Sequence, residues 1–206
     1  GYMAKRLGLP VGKLVCASNA NCVLTDFFKS GVYDRRRTFF RTASPSMDIL
    51  VSSNLERLLY YVYEGDVSRV AQCMSELEQN GFYRVEKSVV QKLTESFTAY
   101  CCTEKDTAET IRSIWQRTGY VCDPHTAVGS SVYRRYVKQT GDLTQTVILS
   151  TASPYKFEAA VLDALGQDTQ ELQKTDRGPE KICELSGTVI PRAVLDLRGA
   201  PVRHTI

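Results

Sequence analysis

Four times along this chain a short apolar stretch ends in a cluster of small polar residues and gives way to a helical pattern. Lys13 to Ala17 leads into Ser18-Asn19-Ala20-Asn21, Ile49 to Val51 into Ser52-Ser53-Asn54, Tyr120 to Cys122 into Asp123-Pro124-His125, and Thr146 to Leu149 into Ser150-Thr151. A parallel strand pair needs a crossover of a dozen or more residues, usually a helix, so this alternation predicts βαβ units. The expected fold class is α/β, an open and mostly parallel sheet flanked by helices. Ligands of such sheets bind outside the carboxyl ends of the strands, and all four polar clusters fall at such ends. One loop-bearing edge is therefore the expected site.

The helices read from spacing and punctuation. Tyr2 to Leu7 is helical and stops at Gly8, with Pro10 just beyond. Val23, Leu24, Phe27 and Phe28 give Asn21 to Lys29 an apolar face, closed by Gly31. Leu55, Leu58, Leu59 and Val62 form one helical face, Val70, Cys73, Met74 and Leu77 a second before Asn80-Gly81, and Val89, Val90 and Leu93 a third. Phe97 to Cys102 returns to strand character. Ile111, Ile114 and Trp115 face the core from a helix that Thr103 caps, with Trp115 read as packing. Residues 1–55 and 97–206 are thus expected to form one α/β domain, with 56–96 as a helical insertion.

Composition closes several routes. With 206 residues the chain can bury a sizeable core. Its longest apolar runs are too short to span a bilayer, and residues 1–10 lack the apolar core of a signal peptide. The formal charge of +3 is too mild to argue for nucleic acid; Arg35-Arg36-Arg37 beside Phe39 and Phe40 is read as a solvated turn or a phosphate-facing loop. Seven cysteines show no metal-ligand spacing, so no metal is expected. Cys16, Cys101 and Cys102 lie in apolar stretches and read as buried, reduced thiols of a cytoplasmic protein. Neither His125 nor His204 stands in a pattern that would activate a cysteine nucleophile.

Each polar cluster has a structural reading beside a chemical one. In Ser150-Thr151-Ala152-Ser153-Pro154, Ser153 caps a helix whose first position is Pro154, which leaves the Thr151 hydroxyl free. Asp123 is equally suited to cap the helix that follows Pro124 and His125, and His125 is also an acid-base candidate. Ser18-Asn19-Ala20-Asn21 suits an Asx turn. Asn54 and Arg57 fit the first turn of a helix.

Together Ser150 to Phe157, Asp123-Pro124-His125-Thr126-Ala127, Ser18-Asn19-Ala20-Asn21, Ser46-Met47-Asp48-Ile49 and Ser53-Asn54-Leu55-Glu56-Arg57 resemble the threonine synthases, from Gly1 to about Pro201. The resemblance implies the large domain of a fold type II pyridoxal-phosphate lyase, incomplete here. It implies that Thr151 bonds the pyridine nitrogen of pyridoxal phosphate, that Asp123, Pro124 and His125 line the ring, and that Asn54 approaches the cofactor edge. It assigns Asn19, Asn21 and Arg57 to the cleft for O-phospho-L-homoserine. Cys22 departs from the pattern, where the family tends to carry another polar residue. No lysine here matches the family's cofactor lysine, and Gly8-Leu9-Pro10-Val11-Gly12 is a helix stop rather than a phosphate loop. Both features are expected before Gly1, so the chain is expected to be a carboxy-terminal part, inactive alone, whose partner is the missing amino-terminal part. Exposed sheet edges would favour self-association. Two alternatives are a related phospholyase acting on another phosphorylated amino acid, and a non-catalytic module that docks through the helical insertion.

Overall fold

The structure is a computed structural model that describes residues 1–201 and 203, so His204 lies outside the described residues. The chain divides into two compact units. The first comprises Gly1–Thr103 with Ser131–Gln145, and the second Glu104–Ser130 with the chain from Thr146 on.

In the first unit, helix α1 (Tyr2–Arg6) precedes strand β1 (Leu14–Ser18), helix α2 (Val23–Ser30) and strand β2 (Val32–Asp34). Helices α3 (Ser53–Val62) and α4 (Val67–Asn80), strand β3 (Phe82–Arg84), helix α5 (Lys87–Ser96) and strand β4 (Phe97–Cys101) follow. β1 and β4 pair in parallel, from Leu14 opposite Phe97 to Ser18 opposite Cys101. The apolar spacing of α2 drives Val23, Phe27 and Phe28 into a core shared with Leu55 and Leu59 of α3, Val70, Cys73 and Leu77 of α4, Val89 and Leu93 of α5, and Ala99 of β4. Side chains cap two of these helices: Ser52 Oγ accepts from Leu55 N, and the Asp66 carboxylate accepts from Ser68 N and Arg69 N.

An element with no counterpart in the expected fold is the antiparallel pair of β2 and β3. Each strand follows a helix through a glycine, Gly31-Val32-Tyr33 and Gly81-Phe82-Tyr83, and each glycine adopts positive φ at a helix end. Tyr33 and Tyr83 stack with ring centroids 5.3 Å apart and form a buried aromatic knot with Phe27. Burial pushes the Tyr33 phenol up to about 12, against weaker lowering by a backbone amide and Arg37. The internal echo of Gly-x-Tyr was the available sequence signal.

Gly31 joins two constraints, φ of +72° and no room for a side chain, since a Cβ there would lie 2.5 Å from Val90 Cγ2. Gly31→Ala is expected to destabilise by about 2–4 kcal/mol, combining backbone strain with overpacking. Urea denaturation against Gly8→Ala, where φ is also positive but nothing crowds the site, separates the two effects; equal losses would refute the crowding.

The second unit contains helix α6 (Glu104–Thr118), the beginning of helix α7 (Pro124–Thr140), a 3-10 turn at Pro154–Phe157, and helices α8 (Glu158–Ala164), α9 (Thr169–Lys174), α10 (Gly178–Ser186) and α11 (Arg192–Leu195). One cluster packs Ile111, Val121, Cys122, Ala127, Val161, Ala164 and Leu165 together, with Ile114 and Trp115 against it. Trp115 packs as expected and its Nε1 donates to Leu185 O at 3.0 Å.

The sheet is smaller than the alternation predicts. Ile49 to Val51, Tyr120 to Cys122 and Thr146 to Leu149 follow irregular paths and join no sheet among the described residues. Strands exist only as pairs, because each backbone N–H and C=O needs a neighbour to bond. Val147 and Leu149 accordingly remain 82% and 72% exposed. The cysteines also differ from expectation. Cys101 is joined to Cys22 as a disulfide, in which Cys16, Cys73, Cys102, Cys122 and Cys183 take no part. Pairing of β1 with β4 brings together two strand ends 79 residues apart in sequence, which spacing alone could not reveal. Among the described residues no helix is long and apolar enough to cross a membrane, and no group of acidic, histidine and cysteine side chains could hold a metal ion.

Candidate functional site

Two of the four polar clusters are organised around a buried or half-buried carboxylate. In the first unit, Asn19 and Asn21 form the predicted Asx turn, with Asn21 N donating to Asn19 Oδ1 at 3.1 Å. Their amides converge on Asp48 after the 3-10 turn Pro45–Met47. Asp48 Oδ1 accepts from Asn19 Nδ2 at 2.7 Å, from Asn21 Nδ2 at 3.1 Å and from Thr42 Oγ1 at 2.7 Å, and Oδ2 accepts from Thr42 N at 2.9 Å. Asn21 Nδ2 also donates to Phe40 O, while its Oδ1 accepts from Phe40 N. One carboxylate therefore ties the end of β1 to the segment 40–48. Asn19 and Asn21 are 1% and 3% exposed, and the polar atoms of both side chains are engaged within the chain.

Sequence reading took the two asparagines as site residues but left Asp48 as part of a motif without a role. Asp48→Ala would remove the acceptor shared by these side chains and leave Thr42 N unmet, while Asn19 keeps Ser44 and Asn21 keeps Phe40 O as acceptors; an unmet buried polar group costs about 1–3 kcal/mol. Loss of about 1–3 kcal/mol in urea denaturation is the expected result; a change below about 0.5 kcal/mol would mean that water replaces the carboxylate.

Asn54 and Arg57 lie exposed on the first turn of α3, where Arg57 Nη2 donates to Asn54 Oδ1. The basic run is committed within the chain. Arg36 forks onto Asp34, Arg37 pairs with Asp26 at 2.7 Å, and Arg35 donates to Glu78 O.

In the second unit, Asp123 is fully buried and does what a cap residue does, accepting from His125 N at 2.9 Å and Thr126 N at 3.4 Å at the start of α7. Its Oδ1 also meets His125 Nδ1 at 2.9 Å, which places the imidazole against Phe157 with ring centroids 4.7 Å apart. Thr126 Oγ1 donates to Asp123 Oδ2 in a short bond. Thr126 Oγ1 also lies 3.1 Å from Ser150 Oγ. Tyr120 Oη lies 3.4 Å from the same serine. The structure thus brings Asp123-Pro124-His125 to the segment before Thr151 through a line of hydroxyls.

Thr151 itself is exposed, and its hydroxyl has no partner among the described residues. Ser153 occupies the expected cap position before Pro154, without a side-chain bond to the turn. Beneath this loop, burial first and then the Asp123 charge push the Cys122 thiol up to about 12, so it is no nucleophile.

These features define an α/β protein whose strand-end and helix-start loops carry hydrogen-bonding side chains on buried braces. A model of the family "Threonine synthase, C-terminal" matches residues 126–194. The Saccharomyces cerevisiae threonine synthase is 38% identical over 200 residues, covering 90% of this chain and 39% of that protein. A crystal structure of the yeast threonine synthase superposes with a TM-score of 0.78 at 36% identity, covering 97% of this chain and 43% of the other. The pyridoxal-phosphate-bound threonine synthase of Brucella melitensis gives 0.72 at 34%, covering 92% and 39%. The chain is a threonine synthase homologue that spans about two fifths of the length of these relatives.

The second unit's donor set fits one edge of such a cofactor: a neutral unpartnered hydroxyl at Thr151, and a histidine held in orientation by Asp123. The hydrogen-bonded group of Asp123, His125, Thr126, Ser150 and Tyr120 contains no lysine.

Proposed function

We propose that this chain is the carboxy-terminal part of a threonine synthase, contributing to the conversion of O-phospho-L-homoserine and water into L-threonine and phosphate. The observation that carries the reading is the brace from Asp123 through Thr126 to Ser150, which ends beside an unpartnered hydroxyl on Thr151. Pyridoxal phosphate, when bound, supplies the electron sink for such chemistry. Thr151 would bond its ring nitrogen as a neutral partner, which withholds a formal charge there. Pro124 and His125 would line the ring with Asp123 fixing their orientation, and Asn54 would approach its edge. Asn19 and Asn21, locked onto Asp48, hold the substrate-facing turn in shape. Arg57, exposed at the start of α3, offers a cation to an anionic substrate. The covalent lysine is supplied by the amino-terminal part, and the cytoplasm is the proposed compartment.

Two measurements test this. The purified chain, incubated with limiting pyridoxal phosphate and reduced with borohydride, should show no stoichiometric pyridoxyl adduct by intact mass. A single saturable adduct would show that it carries its own cofactor lysine. Replacing the matching part of the yeast enzyme by this chain should yield a protein that forms threonine. In that protein Thr151→Val should lower kcat by about tenfold or more, the equivalent of one hydrogen bond made to the cofactor. A folded, cofactor-bound hybrid that releases phosphate only from a different phosphorylated amino acid would favour the phospholyase alternative.

A further inference from the structure

The disulfide lies where the first unit's parallel strands end. Ser18 and Cys101 are register partners at the carboxyl ends of β1 and β4, and Cys102 N donates to Ser18 O at 2.8 Å. After β1 the chain makes the Asx turn of Asn19 and Asn21, and Cys22 then starts α2 with φ of +52°, the left-handed region seldom used by residues other than glycine. This turn carries Cys22 back over the strand end, with its Cα 5.6 Å from that of Cys101. That separation is central to the range a disulfide spans.

Cys22 is the immediate neighbour of Asn21 and hence of the Asp48 node, so the crosslink ties that node to β4. Both cysteines are half-buried and within reach of a small thiol. Four of the other thiols are less suited to exchange. Burial pushes Cys16 up to about 11 and Cys122 up to about 12, and Cys73 and Cys102 are buried.

We propose that Cys22 and Cys101 form a reversible thiol–disulfide latch, which fixes the Asn19–Asn21 turn to the end of β4 when oxidised and releases it when reduced. The oxidant is a low-molecular-weight disulfide such as glutathione disulfide. One protein thiolate attacks it, expels one small thiolate and forms a mixed disulfide. The second protein thiolate attacks the protein-side sulfur of that bond and expels the other. The two protein thiols thus lose two protons and two electrons, and the small disulfide gains them as two thiols. The latch depends on neither cofactor nor substrate, so its test stands apart from that of the proposed function.

The test equilibrates the chain across graded ratios of reduced to oxidised glutathione, quenches in acid, alkylates free thiols and maps the peptides. A Cys22–Cys101 crosslink should rise along one two-electron curve while Cys16, Cys73, Cys102 and Cys122 stay alkylated. Cys22→Ser should convert Cys101 to a glutathione adduct instead, and Cys101→Ser should do the same to Cys22. Hydrogen exchange across residues 19–22 and 40–48 should slow by about tenfold or more on oxidation, as expected where local opening is suppressed. Alkylation of both cysteines at the most oxidising ratio, or a crosslink to a different partner, would overturn the couple. Unchanged exchange in the crosslinked form would overturn the latch.

Discussion

Asp123→Ala is expected to remove about 3–5 kcal/mol of stability, the range for deleting one partner of a buried charged network. The carboxylate is fully buried and accepts from two backbone amides, the His125 imidazole and the Thr126 hydroxyl. Its removal takes the cap acceptor from the His125 and Thr126 amides, loosens the start of α7 and leaves the Thr126 hydroxyl only Ser150 Oγ to donate to. The single tryptophan, Trp115, packs in the same unit, so its fluorescence in urea reports the loss directly. Asp123→Asn keeps the shape and one good acceptor, and should cost less than half as much. Equal losses from both variants would mean that the negative charge, rather than acceptor geometry, organises the loop. A loss below about 1 kcal/mol would reduce Asp123 to an ordinary helix cap.

Phe27→Ala should be similarly severe in the first unit, at about 3–5 kcal/mol. Phe27 is fully buried and meets Phe28, Tyr33 and Tyr83 edge-on with ring centroids 5.8–5.9 Å away. Truncation opens a cavity among rings that cannot collapse onto it, since Tyr33 and Tyr83 are pinned by the β2–β3 pair. The same residue sits on α2, directly after the Asn21 turn, so lost packing there should also loosen the Asp48 node. The control is Phe40→Ala, where the side chain is 49% exposed and a change within about 0.5 kcal/mol is expected. Similar losses for both in urea denaturation would contradict the placement of the core.

Both residues were visible before the fold, but for different reasons. Phe27 announces itself by spacing: with Val23 and Phe28 it marks one face of a helix, and burial follows from period alone. Asp123 announces itself by type and position, an acidic residue before proline at a predicted helix start. Its full burial, and its link through Thr126 to Ser150, could not be read. Asp48 illustrates the same limit. It was legible as part of a motif, but the convergence of Asn19, Asn21 and Thr42 on it depends on a loop folding back over more than twenty residues.

Local signals therefore determined the main helices, the cap at Asp123, the α/β class and the identity of the polar clusters, because periodicity and capping act over a few residues of contiguous chain. The tertiary structure alone decided which apolar stretches became strands. A strand's hydrogen bonds are made by another segment: Leu14–Ser18 found Phe97–Cys101, whereas Val147 to Leu149 join no sheet among the described residues. It also decided the pairing of Cys22 with Cys101, since a disulfide depends on where two distant Cα atoms come to rest and not on the composition around them.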